Sequence, residues 1–155
     1  MPCPACGDVT LRTDSLETLF HSLRELVDGL HVRRDVYAVI EVGDRPRYAQ
    51  VLADHDGALL VEVSSTEATD DGTRSAALTP AEELELVRLR YRPPDDWSPN
   101  WHRVFAEPWP WPAPVVAELL VHSLLWVLGA RPDELCVLTG HAEIISVVRD
   151  ERVRA

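Results

Sequence analysis

Residues 47–65, RYAQVLADHDGALLVEVSS, restrict what this chain can fold into more than any other stretch. Tyr48, Gln50 and Leu52 alternate with Ala49, Val51 and Ala53; beyond the Asp56-Gly57 pair, Leu59, Val61 and Val63 alternate with Leu60, Glu62 and Ser64. Alternation on both sides of an Asp-Gly pair predicts a tight β-hairpin, because successive strand side chains point to opposite faces and Asp-Gly suits the turn. One face of the hairpin is aliphatic and the other mixes polar and aromatic groups. Such a sheet buries the first face under helices and leaves the second to water or to a partner. No residue of the hairpin has an obvious chemical task, which points to holding another polypeptide rather than converting a substrate.

The flanking segments supply the cover. Leu16, Leu19, Phe20, Leu23, Leu26, Val27 and Leu30 recur at three- and four-residue spacing, predicting a helix that starts near Asp14, with Glu17 completing a capping box, and closes at Gly29. Residues 35–42 alternate as a first strand, and Gly43-Asp44-Arg45-Pro46 turns that strand into the hairpin. Residues 64–77 are small and polar and predict a loop. Thr79-Pro80-Ala81-Glu82 carries an N-cap threonine, a proline at the first helical position and a glutamate at the third. The short helix it starts is expected to turn Leu84, Val87 and Tyr91 inward.

Beyond Pro93-Pro94 the chain becomes aromatic and proline-rich. Residues 100–106 predict a fourth strand with Trp101 or His102 facing the core. Trp109-Pro110-Trp111-Pro112 is held extended by its prolines, so Trp109 and Trp111 are candidates for a partner-contacting ridge, whereas Trp101 and Trp126 are expected in the core. Residues 114–128 predict a helix apolar on nearly all sides, central to the core or half of a subunit interface. Residues 135–138 and 143–149 offer late strands. The expectation is one α+β domain over 13–155, an antiparallel sheet of four to five strands flanked by helices, preceded by an arm at 1–12.

Composition narrows the partners. The 155 residues carry a net charge of -11, and every basic residue is arginine. An acidic surface repels phosphate backbones and anionic membrane leaflets, so neither nucleic acid nor a membrane is expected as a partner, and basic client segments are favoured. The N-terminus lacks an apolar signal region, and residues 115–128 are interrupted by Glu118 and His122 and fall short of the roughly 20 residues of a bilayer span. A cytoplasmic protein is expected, and three cysteines suit a reducing compartment better than a disulfide framework.

Cys3-Pro4-Ala5-Cys6-Gly7 is the sharpest local signal, resembling one knuckle of a zinc ribbon. Cys136 and His141 offer a second pair, so a structural zinc site of Cys3, Cys6, Cys136 and His141 is the alternative to a metal-free chain. Set against it is a small core residue at Cys136 and an idle arm. His141-Ala142-Glu143 and the Cys3–Cys6 segment are also the two halves of the zinc deaminase signature, but in reversed order, which coincidence explains better. No Gly-x-Ser-x-Gly, phosphate loop or His-Glu-x-x-His occurs, the six histidines are scattered, and Asp95-Asp96 is expected to be solvated.

Taken in order, Tyr48-Ala49-Gln50-Val51, Asp56-Gly57 through Ser64, Leu78-Thr79-Pro80-Ala81-Glu82, residues 86–93 and Asn100-Trp101 resemble the actinobacterial TY-Chap domain, a family grouped with YbjN and the small type III secretion chaperones. The likeness spans about residues 13–138. It implies a secretion-chaperone-like α+β fold, a homodimer, no cofactor and no catalysis, with a client protein or peptide as partner. Relatives suggest Leu-Gly-Trp where this chain has Leu89-Arg90-Tyr91. With the family in view, the expected contact surface is the sheet face bearing Tyr48, Gln50 and Leu52 together with Trp109 and Trp111.

Overall fold

A computed structural model describes residues 11–32, 36–43, 47–53, 58–64, 78–105 and 112–141, and within them the strands pair as their alternation requires. Helix α1 (Leu16–Val32) is followed by strands β1 (Val36–Val42), β2 (Tyr48–Ala53) and β3 (Leu59–Val63). Helix α2 (Pro80–Arg88), strand β4 (Trp101–Phe105), helix α3 (Ala113–Val121) and strand β5 (Leu135–His141) complete the order. The sheet is antiparallel throughout, in the order β4-β3-β2-β1-β5, so the chain is an α+β fold.

Register sorts the two faces. Ala49, Val51 and Ala53 stand opposite Val63, Val61 and Leu59, while Ile40 of β1 stands between Ala49 and Val137. All of these are buried, under Leu19, Leu23 and Val27 of α1 and Val116, Leu120 and Leu124 of the C-terminal helix. Each valine, leucine or isoleucine among them contributes about 1.5–3 kcal/mol on burial and each alanine less, which makes this layer the main source of stability.

Several local expectations are corrected. Helix α1 is capped by Ser15 rather than Asp14: Ser15 Oγ accepts from the Thr18 amide at 3.1 Å while Thr18 Oγ1 accepts from the Ser15 amide at 2.9 Å. That reciprocal pair does the work assigned to Glu17, and the helix runs through Gly29 to Val32. The capping box of Thr79 and Glu82 forms as predicted. Leu84 and Val87, however, are exposed and Leu86 is buried. Glu82 is drawn toward Arg47 on β2's side, where Arg47 Nη1 and Nη2 donate to its two carboxylate oxygens at 2.7 and 3.2 Å. The face that follows Glu82 at helical spacing is Leu86 and Leu89, and Leu84 and Val87 turn outward.

Helix α2 ends with Arg90 at a φ of 66°, the left-handed region that normally favours glycine. Arg90 N–H donates to the Val87 carbonyl and Tyr91 N–H to the Leu86 carbonyl, both at 3.0 Å, closing a Schellman turn with Tyr91 and Leu86 buried beneath it. The C-terminal helix is central to the core, as one of its two expected roles required. It passes from α3 into a π-helical stretch, His122–Val127. Buried Ser123 explains the change: its hydroxyl donates to the Leu119 carbonyl at 2.7 Å, and its own carbonyl accepts from Leu128 five residues on. Trp126, expected in the core, lies outside it, half-exposed and stacked on His122 at 4.9 Å. Among the described residues no helix is long and apolar enough to cross a membrane.

Candidate functional site

The second face of the sheet carries two rows of side chains. Tyr37, Leu52, Leu60 and Val104 stand opposite one another across β1, β2, β3 and β4, and one step along, Val39, Gln50, Glu62 and His102 do the same. The apolar row is closed at its centre, with Leu52 and Leu60 buried against Tyr37, and open at Val104, which is half-exposed.

The polar row is covered by the segment between α2 and β4. Glu62 is 1% exposed, and its carboxylate accepts from Ser98 Oγ at 2.6 Å and from Gln50 Nε2. Asn100 Nδ2 donates to the Tyr48 hydroxyl at 3.2 Å. Asp95 shapes the cover: its Oδ1 accepts from the amides of Trp97 and Ser98, both at 2.9 Å, and its Oδ2 lies 3.6 Å from His102 Nε2. The Ser98 amide above all, helped by the Trp97 amide and the nearby His102 and Arg92, outweighs the opposing effect of desolvation and holds the Asp95 carboxyl below its ordinary value. Asp95 is thus exposed, as expected of a loop charge, and in addition organises a turn.

At the outer margin of β4 the arrangement opens. His102 exchanges two backbone hydrogen bonds with Arg92, at 2.7 and 3.0 Å, on the side away from β3. Strand alternation then turns the main chain of Arg103 toward β3 and that of Val104 outward, to the same side as His102. Val104 is therefore an edge position with no strand beside it among the described residues. A groove of about 540 Å³ lies along this margin, lined by Arg90, Arg92, Trp97, His102 and Val104, with Asp95 and Arg103 completing the wall. Trp97 is half-exposed and meets the His102 ring edge-on at 5.0 Å. Arg103 is committed elsewhere, donating to the Leu89 carbonyl at 3.0 Å and stacking on Phe105 at 4.6 Å.

The residues singled out in the sequence fare unevenly. Tyr48 and Gln50 are half-buried and engaged with Asn100 and Glu62, and Leu52 is buried, so this part of the face is not the open surface expected. Trp109, Trp111, Cys3 and Cys6 lie outside the described residues, as do Glu143 and the side chain of His141. Cys136 is buried on β5 opposite Glu41 and is disulfide-bonded, contrary to the expectation of reduced cysteines. No cluster of three or more metal-ligating side chains occurs among the described residues. The groove itself was missed by the sequence reading. Its signal was the run Arg90-Tyr91-Arg92 ahead of Asp95-Asp96-Trp97-Ser98, two cations and a turn former placed just before a strand.

Compared with known proteins, the chain matches no family model, no curated protein and no solved structure.

Proposed function

We propose that this chain is a non-catalytic, chaperone-like protein that binds an extended segment of a client protein and works as a homodimer. The observation that carries this reading is the margin of β4, where the outward main chain of Val104 adjoins a groove with half-exposed Trp97. An edge position can accept main-chain hydrogen bonds from an added strand, and a neighbouring tryptophan offers apolar area for an anchoring side chain. The polar groups of the adjoining face hydrogen-bond to one another, which suits a rigid platform under such an edge. Trp109 and Trp111, which follow β4 in the chain, remain part of the proposed contact surface. Half-exposed Leu84, Val87 and Trp126 on the helical side supply the apolar area for the dimer contact.

The test is an array of unselected 12-residue peptides probed with the purified protein, with light scattering to give subunit number. A dimer that retains a subset of peptides in the micromolar range, and loses them when Trp97 is changed to alanine, is the expected outcome. A monomer that binds none, or a protein that chemically converts the peptides, would contradict the proposal.

A further inference from the structure

The protein is strongly acidic overall, yet the groove beside β4 is bordered by three arginines and one aspartate. Arg103 is spoken for by the Leu89 carbonyl and the Phe105 ring, and Asp95 by the amides of Trp97 and Ser98. Arg90 and Arg92 are both exposed; among the described residues neither guanidinium makes a hydrogen bond or a close ion pair, and Arg92 acts on the Asp95 carboxylate only from a distance. Arg92 cannot drift from the edge, because its backbone is paired with His102. Arg90 is more telling. It occupies a left-handed position at which a non-glycine residue costs roughly 1–2 kcal/mol, and its backbone duties at the helix end would be met as well by glycine. Strain of this kind clusters at ligand clamps and other functional sites.

Resting on the peptide-binding reading above, we infer that Arg90 and Arg92 form a cationic clamp that selects acidic extended segments, pairing client carboxylates along one face of the strand accepted at Val104. A guanidinium holds a carboxylate through two parallel hydrogen bonds, and two of them in one groove beside an edge fix the register of an alternating acidic strand. The net charge of -11 does not prevent this, since at physiological ionic strength charges beyond about 8 Å are largely screened, whereas the clamp acts at contact. The groove thus favours the opposite client charge to the one the whole-chain composition suggests.

The experiment uses two fluorescent ten-residue peptides, one alternating glutamate with valine and the other alternating lysine with valine, titrated against the full chain by anisotropy and by amide hydrogen exchange. The glutamate peptide should bind more tightly than its lysine twin, weaken as salt is raised from 50 to 300 mM, and protect the amide of Val104. Arg90→Gly with Arg92→Gln should weaken it about tenfold, the loss of two exposed charge-assisted contacts, while Arg90→Gly alone raises the melting temperature. Equal binding of both peptides, or an unchanged affinity in the double variant, overturns the clamp. If unselected peptides bind and protect Val104 without preference for acid, the clamp fails and the edge reading stands; if no peptide protects Val104, both fail.

Discussion

Arg90 and Glu62 show how single residues set the properties of this fold. Arg90 holds a glycine's conformation without being glycine, so its replacement by glycine should stabilise the protein by about 1 kcal/mol, a rise of roughly 2–4 °C in melting temperature read by calorimetry. Glu62 is the shared acceptor for Gln50 and Ser98 beneath the cover of β3 and β4. Changing it to alanine leaves the buried Ser98 hydroxyl only the longer contact to the Asn100 carbonyl at 3.3 Å and takes this partner from the Gln50 amide, a loss of about 1–3 kcal/mol that urea unfolding would register as a lower midpoint. Neither role could be seen in the sequence. Left-handed backbone is normally announced by glycine or asparagine, and Glu62 sits at an alternating position that reads as solvent-facing until the 91–100 segment is known to lie across it.

Among the elements, the hairpin strands, α2's capping box, β4 and the buried C-terminal helix were legible because each rests on local chemistry: alternation, an N-cap with proline behind it, a long apolar run. What could not be read was phase. Leu84 and Leu86 are equally apolar, and which one turns inward is settled by the long-range pair of Arg47 and Glu82. That pair ties the start of β2 to the start of α2, and Arg47 also donates to the Leu128 carbonyl at 3.2 Å, at the end of the C-terminal helix. Partial burial alone would raise the Glu82 carboxyl, but the Arg47 guanidinium and the Thr79 backbone outweigh it and hold the group below its ordinary value of 4.5. A carboxyl lowered in the folded state contributes stability above that value and loses it as pH falls through the folded one. Glu82→Gln should therefore cost about 1–2 kcal/mol at pH 7, between exposed and fully buried ion pairs, and the gap to the unaltered protein should narrow below pH 4.5 in unfolding curves taken across the acid range.

At the scale of the whole molecule, the two faces of one sheet do different things. The helical face buries an aliphatic layer that needs no polar partner. The other face is finished piecemeal: an apolar row closed at its centre, a polar row roofed by the segment between α2 and β4, and, among the described residues, an edge at Val104 with no strand beside it, next to Trp97 and the two arginines. The sequence pointed to this face as the contact surface but to its middle, at Tyr48, Gln50 and Leu52, because alternation identifies a face and not the loop that returns to cover it. The candidate surface moves accordingly to the margin. The most direct measurement is residue-resolved amide hydrogen exchange of the full chain with and without a bound peptide. Added protection centred on Val104 and its neighbours in β4, with the helical side unchanged, is the predicted result. Binding that protects α2 and the C-terminal helix while Val104 exchanges as freely as before would contradict it.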